Sequence, residues 1–253
     1  MRPFRLLPAL LSVIGLIAIF TAQIQARTSS GVVEGKTSYQ SGGRKIKVDT
    51  FLPTTPGPHP AVLVLYGSGG AVFGKGDMDD FSRKLASRGM AAYLVHYLNR
   101  TGSIVETGDR VITKLWPEWD ATVRDGVDFV CAQPGVKKEA VGFYGYSLGA
   151  FLSVSESFND KRIRAVVELS GGVFDKMIGK AKRFPPMLIL HGSADKRVSV
   201  EQVAKLQREA RRLGATPKVK VYEGEGHALS KTAAADATER ALKFLGQHLQ
   251  PSR

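Results

Sequence analysis

Gly145-Tyr146-Ser147-Leu148-Gly149 follows the apolar run Val141 to Tyr144 and leads into the helix-prone stretch Ala150 to Phe158. A glycine-flanked serine between a strand and a helix reads as a nucleophile elbow. At such a turn the serine backbone is strained, and the glycines leave room where a Cβ would collide with a neighbouring strand or helix. The hydroxyl is thereby carried beyond the sheet edge. A serine hydroxyl is a poor nucleophile at neutral pH, so the elbow needs an imidazole to take its proton and a carboxylate to orient that imidazole.

The flanking pattern supplies a sheet for the elbow to sit on. Val32 to Thr37 and Lys45 to Leu52 alternate or nearly alternate apolar and polar residues around Ser41-Gly42-Gly43, which predicts an antiparallel hairpin at one sheet edge. Ala61 to Tyr66, Ala91 to Tyr97, Val141 to Tyr144, Ile163 to Leu169, Met187 to Leu190 and Lys218 to Tyr222 are mostly apolar runs, as expected of parallel strands covered on both faces. Helical spacing appears between them over Asp79 to Arg88, Trp119 to Ala132, Leu148 to Phe158, Val200 to Leu213 and Thr232 to Leu249. The layout is a hairpin followed by βα units, a mostly parallel doubly wound α/β sheet. In such sheets chemistry gathers beyond the carboxyl ends of the strands.

That edge selects the partners of Ser147. His227, in Glu223-Gly224-Glu225-Gly226-His227-Ala228-Leu229, directly follows the run Lys218 to Tyr222 and is the best general base of the five histidines. His59 lies in the proline-rich loop Pro56 to Pro60, His248 at a C-terminus expected to be frayed, and His96 inside an expected strand. His191 precedes the acid, Asp195, in His191-Gly192-Ser193-Ala194-Asp195-Lys196-Arg197-Val198. A carboxylate there orients the imidazole and stabilises the imidazolium; the competing reading is an exposed loop with local charge pairs to Lys196 and Arg197. The oxyanion of a tetrahedral intermediate needs two N–H donors. Leu148 supplies one and Ser68, in Tyr66-Gly67-Ser68-Gly69-Gly70, the other, with Gly69 as the alternative. Gly69 to Lys75 also has the spacing of a phosphate-binding P-loop, but Gly76 stands where a serine or threonine would bind magnesium.

The 253 residues suit a single domain of residues 27–253 behind a leader, because no proline-, glycine- or serine-rich linker divides them. Arg2 and Arg5, the apolar run Leu6 to Phe20 and the more polar Thr21 to Ala26 read as a signal peptide of residues 1–26, implying a secreted or periplasmic protein with no stable membrane anchor after cleavage. The single cysteine, Cys131, cannot form an intramolecular disulfide and reads as a buried small hydrophobe. The net charge of +13 becomes +11 once the two leader arginines are removed. These charges are spread over helix-like segments without interleaved aromatics, so no nucleic-acid partner is expected. The long segment 99–119, with Arg100, Trp116, Pro117 and Trp119, is expected as a loop that shapes a substrate pocket or a surface excursion anchored by its tryptophans, with Arg100 available to an acidic substrate group.

The order Ser147, Asp195, His227, each just past the end of an expected strand, is that of the α/β-hydrolases. With Gly-Tyr-Ser-Leu-Gly, His-Gly-Ser-Ala-Asp-Lys-Arg-Val and Gly-Glu-Gly-His-Ala-Leu, the chain resembles the dienelactone hydrolase family over about residues 30–250. The resemblance implies the α/β-hydrolase fold and a catalytic triad at those three positions. The family's namesake enzymes use a cysteine nucleophile and a glutamate beside the oxyanion segment; this chain has Ser147 and no glutamate within Leu65 to Gly70. The expectation is an exported serine hydrolase that cleaves small carboxylic esters or lactones through an acyl-enzyme without metal or organic cofactor. A peptidase or acyltransferase on the same fold, or a non-catalytic binding scaffold, are the alternatives.

Overall fold

The computed structural model describes residues 27–29 and 31–250. The expected leader lies outside the described residues. The elements are β1 (Arg27–Ser29), β2 (Val32–Ser41), β3 (Arg44–Pro53), β4 (His59–Leu65), α1 (Lys75–Ser87), β5 (Ala91–Val95), α2 (Asp109–Cys131), β6 (Val136–Tyr146), α3 (Leu148–Ser157), β7 (Ile163–Leu169), β8 (Met187–Gly192), α4 (Glu201–Arg212), β9 (Lys218–Tyr222) and α5 (Lys231–Leu249). One sheet holds all nine strands in the order β1-β2-β3-β5-β4-β6-β7-β8-β9. The first three are antiparallel and β3 meets β5 antiparallel, whereas every pairing from β5 to β9 is parallel.

The two halves differ because their coverage differs. Every residue of β5 and all of β4 after His59 is buried, which is why these strands read as unbroken apolar runs. Helices α1 and α5 pack together on one face of the sheet and α2 with α3 on the other. The chain steps from β4 out to β5 and then returns to place β6 on the opposite side of β4. That reversal opens a crevice at the carboxyl ends of β4 and β6, where open α/β sheets bind ligands.

The segment 99–119 differs from the expected loop. A 3-10 turn over Tyr97–Thr101 follows β5, and α2 starts at Asp109, ten residues ahead of the expected start at Trp119. Ile112, Trp116, Trp119, Val123, Val127 and Val130 recur at intervals of three and four on one face of α2 and pack into the core. This apolar stripe outweighs the helix-breaking tendency of Pro117, which stands exposed inside the helix. Cys131, at the end of α2, is half-buried against the core instead of fully enclosed.

Candidate active site

Ser147 caps α3 with φ 52° and ψ −120°, a conformation that only the surrounding packing holds in place. A Cβ on Gly145 would lie 2.5 Å from the Gly149 carbonyl oxygen, and one on Gly149 would lie 2.3 Å from that of Leu65. Both glycines are therefore required for β6, α3 and β4 to approach so closely.

The imidazole of His227 stands between the serine and the carboxylate. Its Nε2 is 3.0 Å from Ser147 Oγ and its Nδ1 is 2.8 Å from Asp195 Oδ2. A carboxylate only accepts, so Nδ1 carries the proton and Nε2 of the neutral ring faces the hydroxyl as acceptor. Asp195 Oδ1 accepts from the N–H groups of Arg197 and Val198 at 2.8 and 2.9 Å. Burial by itself would raise the Asp195 pKa, but the hydrogen bonds from Val198, His227 and Arg197 outweigh it and hold the carboxyl below its usual range. The group is thus a fixed anion, buried at its side chain, which fits it for orienting an imidazole and not for a charge pair with Lys196 or Arg197.

Of the other histidines, His191 approaches the same carboxylate, its Nε2 lying 3.4 Å from Asp195 Oδ2. His59 bonds the Thr55 carbonyl, His191 bonds the Val198 carbonyl, and His96 bonds Asp49 at 2.9 Å. His248 lies within α5 against Phe244, and not in a frayed tail. Lys75, the lysine of the P-loop-like spacing, is paired with Asp49 and Asp79 at 3.0 and 2.6 Å.

Ser147 and His227 open into a cavity of about 240 Å³, which Ser68 and Gly69 also line. Leu148 begins α3, so its N–H belongs to the first turn and has no intrahelical acceptor. Glu106 N–H donates to the Ser68 carbonyl at 2.8 Å and fixes the glycine-rich segment against the 102–108 connection. Val105 and Thr107 of that connection line the cavity, so a part of the segment expected to shape a pocket does reach it. Arg100 does not: its Nη1 donates to the Ser41 carbonyl at 2.6 Å and its Nε lies 3.4 Å from Glu118. Among the described residues no group of three or more His, Cys, Asp or Glu is placed to hold a metal ion.

Two contacts on the His227 loop were not anticipated from sequence. Ser170 Oγ donates to the His227 carbonyl at 3.0 Å, and Tyr146 Oη donates to it at 3.3 Å. Ser170 is fully buried and, with Ser147, is one of two described non-glycine residues at positive φ. It is the first residue past β7, on the same strand edge that singled out Asp195 and His227.

The sequence model of the dienelactone hydrolase family matches residues 46–249. The chain belongs to the dienelactone hydrolase family. Among solved structures, a putative dienelactone hydrolase from Klebsiella pneumoniae superposes with a TM-score of 0.73 at 19% identity, covering 87% of this chain and 100% of that one. A cold-adapted esterase from an Arctic intertidal metagenomic library gives 0.71 at 19% identity, covering 89% and 98%. At such identities the likeness is one of fold. The mouse bile acid-CoA:amino acid N-acyltransferase is 31% identical over 143 residues, 56% of this chain and 31% of that protein. Human acyl-coenzyme A thioesterase 1 is 29% identical over 129 residues, 51% and 28%. The chain spans about a third of the length of these curated relatives. Dienelactone hydrolase family membership supports a hydrolase of ester-type substrates.

Proposed function

We propose that the chain is an exported serine hydrolase of carboxylic esters or lactones. The observation that carries this reading is the unbroken relay from Asp195 through His227 to Ser147, with both hydrogen bonds at 3.0 Å or less. In the proposed cycle Ser147 Oγ attacks the ester carbonyl while His227 Nε2 takes its proton. The tetrahedral oxyanion is held by the N–H groups of Leu148 and Ser68. The imidazolium, stabilised by Asp195, returns the proton to the departing alcohol and leaves an acyl-Ser147, which water hydrolyses by the same steps in reverse.

The test is labelling with a fluorophosphonate probe together with hydrolysis of short p-nitrophenyl esters. The parent is expected to label and turn over and Ser147→Ala to do neither; a parent inert in both assays sinks the enzyme reading. The basic, apolar and polar regions of residues 1–26 support export. N-terminal sequencing of the exported protein is expected to begin at Arg27.

The likeness to an N-acyltransferase favours a second reading, in which an amine intercepts the acyl-enzyme. Hydrolysis in the presence of an amino acid separates the two: an N-acyl amino acid among the products marks transfer, and free acid alone marks hydrolysis.

A further inference from the structure

A second and larger cavity, about 530 Å³, lies beside the first between α1 and α5. Its apolar floor is made by Met78, Phe81, Tyr144 and Leu169, all buried. Gly67, Phe73 and Tyr146 line both cavities, so the two meet along a common wall beside Ser147. Phe73 is 70% exposed and neighbouring Val72 is 55% exposed, an unusual amount of apolar surface to leave in water at the mouth of a reactive site. On the α5 side the wall is Ala234, Ala235 and Thr238, and the small side chains of the two alanines leave the space between the helices open. The charges at the rim are of both signs, Asp77 and Asp80 against Lys84 and Lys231, so they give no net selection for a charged group.

Small-molecule sites are typically about 300–1,000 Å³. The 240 Å³ cavity at Ser147 falls short of that range alone and reaches it together with its neighbour. We propose that the cavity between α1 and α5 is the subsite for an uncharged apolar arm of the substrate ester, with Phe73 and Tyr146 at its entrance. This rests on Ser147 being the nucleophile of an esterase and adds the substrate class: esters with one extended alkyl or aryl arm and no charge on it.

The test is kcat/KM along two series, p-nitrophenyl esters from acetate to octanoate and acetate esters of methanol to octanol. Each methylene that enters an apolar site is expected to raise kcat/KM by about fourfold. A rise along the first series assigns the cavity to the acyl arm, and a rise along the second to the alcohol arm. Turnover of acetates with neither series rising overturns the subsite while leaving the esterase reading intact; no turnover and no labelling overturns both. Ala234→Phe, which fills the cavity, is expected to flatten the rising series, and an undiminished rise in a variant that still labels also overturns the proposal. Ala235→Phe serves the same purpose if Ala234→Phe fails to label.

Discussion

At the scale of single residues, the site depends on how firmly the His227 imidazole is aimed. His227→Ala removes the proposed base and is expected to lower kcat/KM for a short ester by at least about a hundred-fold with the melting temperature retained, since the side chain is part-exposed; an unchanged rate would remove His227 from the proposed mechanism. Ser170 acts on the same group at one remove. Ser170→Ala deletes its 3.0 Å bond to the His227 carbonyl and leaves the longer one from Tyr146, so kcat is expected to fall about fivefold at constant KM, the worth of one net hydrogen bond. A loss of melting temperature at constant kcat would make Ser170 merely structural. Glu168, on β7, is fully buried, accepts from Gly171 N–H through Oε2, and has no partner for Oε1. Burial raises its pKa to about 8 despite the Gly171 hydrogen bond. The unfolded chain releases this proton near pH 4.5 and the folded chain keeps it to about pH 8, so the folded state binds the extra proton between those values and stability falls as pH rises through them. Glu168→Gln keeps an oxygen acceptor for Gly171 but cannot ionise. Urea unfolding from pH 5 to pH 8 is expected to show the parent losing up to about 1.4 kcal/mol per pH unit relative to the variant; parallel pH profiles would contradict it.

At the scale of elements, α2 carries a cost inside its own sequence. Pro117 lacks the N–H that would donate one turn back, and its side chain is exposed, so Pro117→Ala restores a donor without emptying a packed site. The substitution is expected to stabilise the protein by about 1–3 kcal/mol in chemical denaturation, and a destabilised variant would mean that the helix is shaped around the proline. The same helix shows where sequence reading reached its limit. Pro117 and the neighbouring tryptophans gave the appearance of a loop, and the stripe from Ile112 through Trp116 to Trp119 outweighed the one local breaker because burial over several turns exceeds a single lost bond. The strands Ile163–Leu169 and Lys218–Tyr222 were legible to the residue, since turn or charged residues bound them sharply. In the sequence only the apolar Val141 to Tyr144 of β6 stands out as a strand, because its first half, Val136 to Ala140, carries the exposed Lys138 and Glu139. Ser147, Asp195 and His227 could be brought together from sequence because each follows a strand at one sheet edge. Ser170 and Tyr146 escaped because their role lies in a backbone carbonyl contact that residue type does not announce.

At the scale of the whole molecule, one sheet joins everything from the antiparallel edge at β1 to β9 at the other side, and a continuous core packs on both its faces. No covalent cross-link within the chain supplements that core, for Cys131 is the single cysteine and is half-buried, with a thiol pKa raised by burial. A small secreted domain often needs disulfides because its core is too small, whereas a chain of 253 residues buries enough apolar surface to fold without them. The protein is therefore expected to unfold in one cooperative transition whose midpoint shifts by less than about 1 °C on adding reductant. Because β4 and β6 frame the crevice that holds Ser147, and Asp195 and His227 hang from the ends of β8 and β9, loss of the sheet and loss of the site are the same event. Calorimetry and fluorophosphonate labelling, followed along one temperature ramp with and without reductant, are expected to give coincident midpoints. A labelling midpoint well below the calorimetric one would show that the β8–β9 edge carrying Asp195 and His227 opens ahead of the rest, and a midpoint lowered by reductant would point to a disulfide between two chains through Cys131.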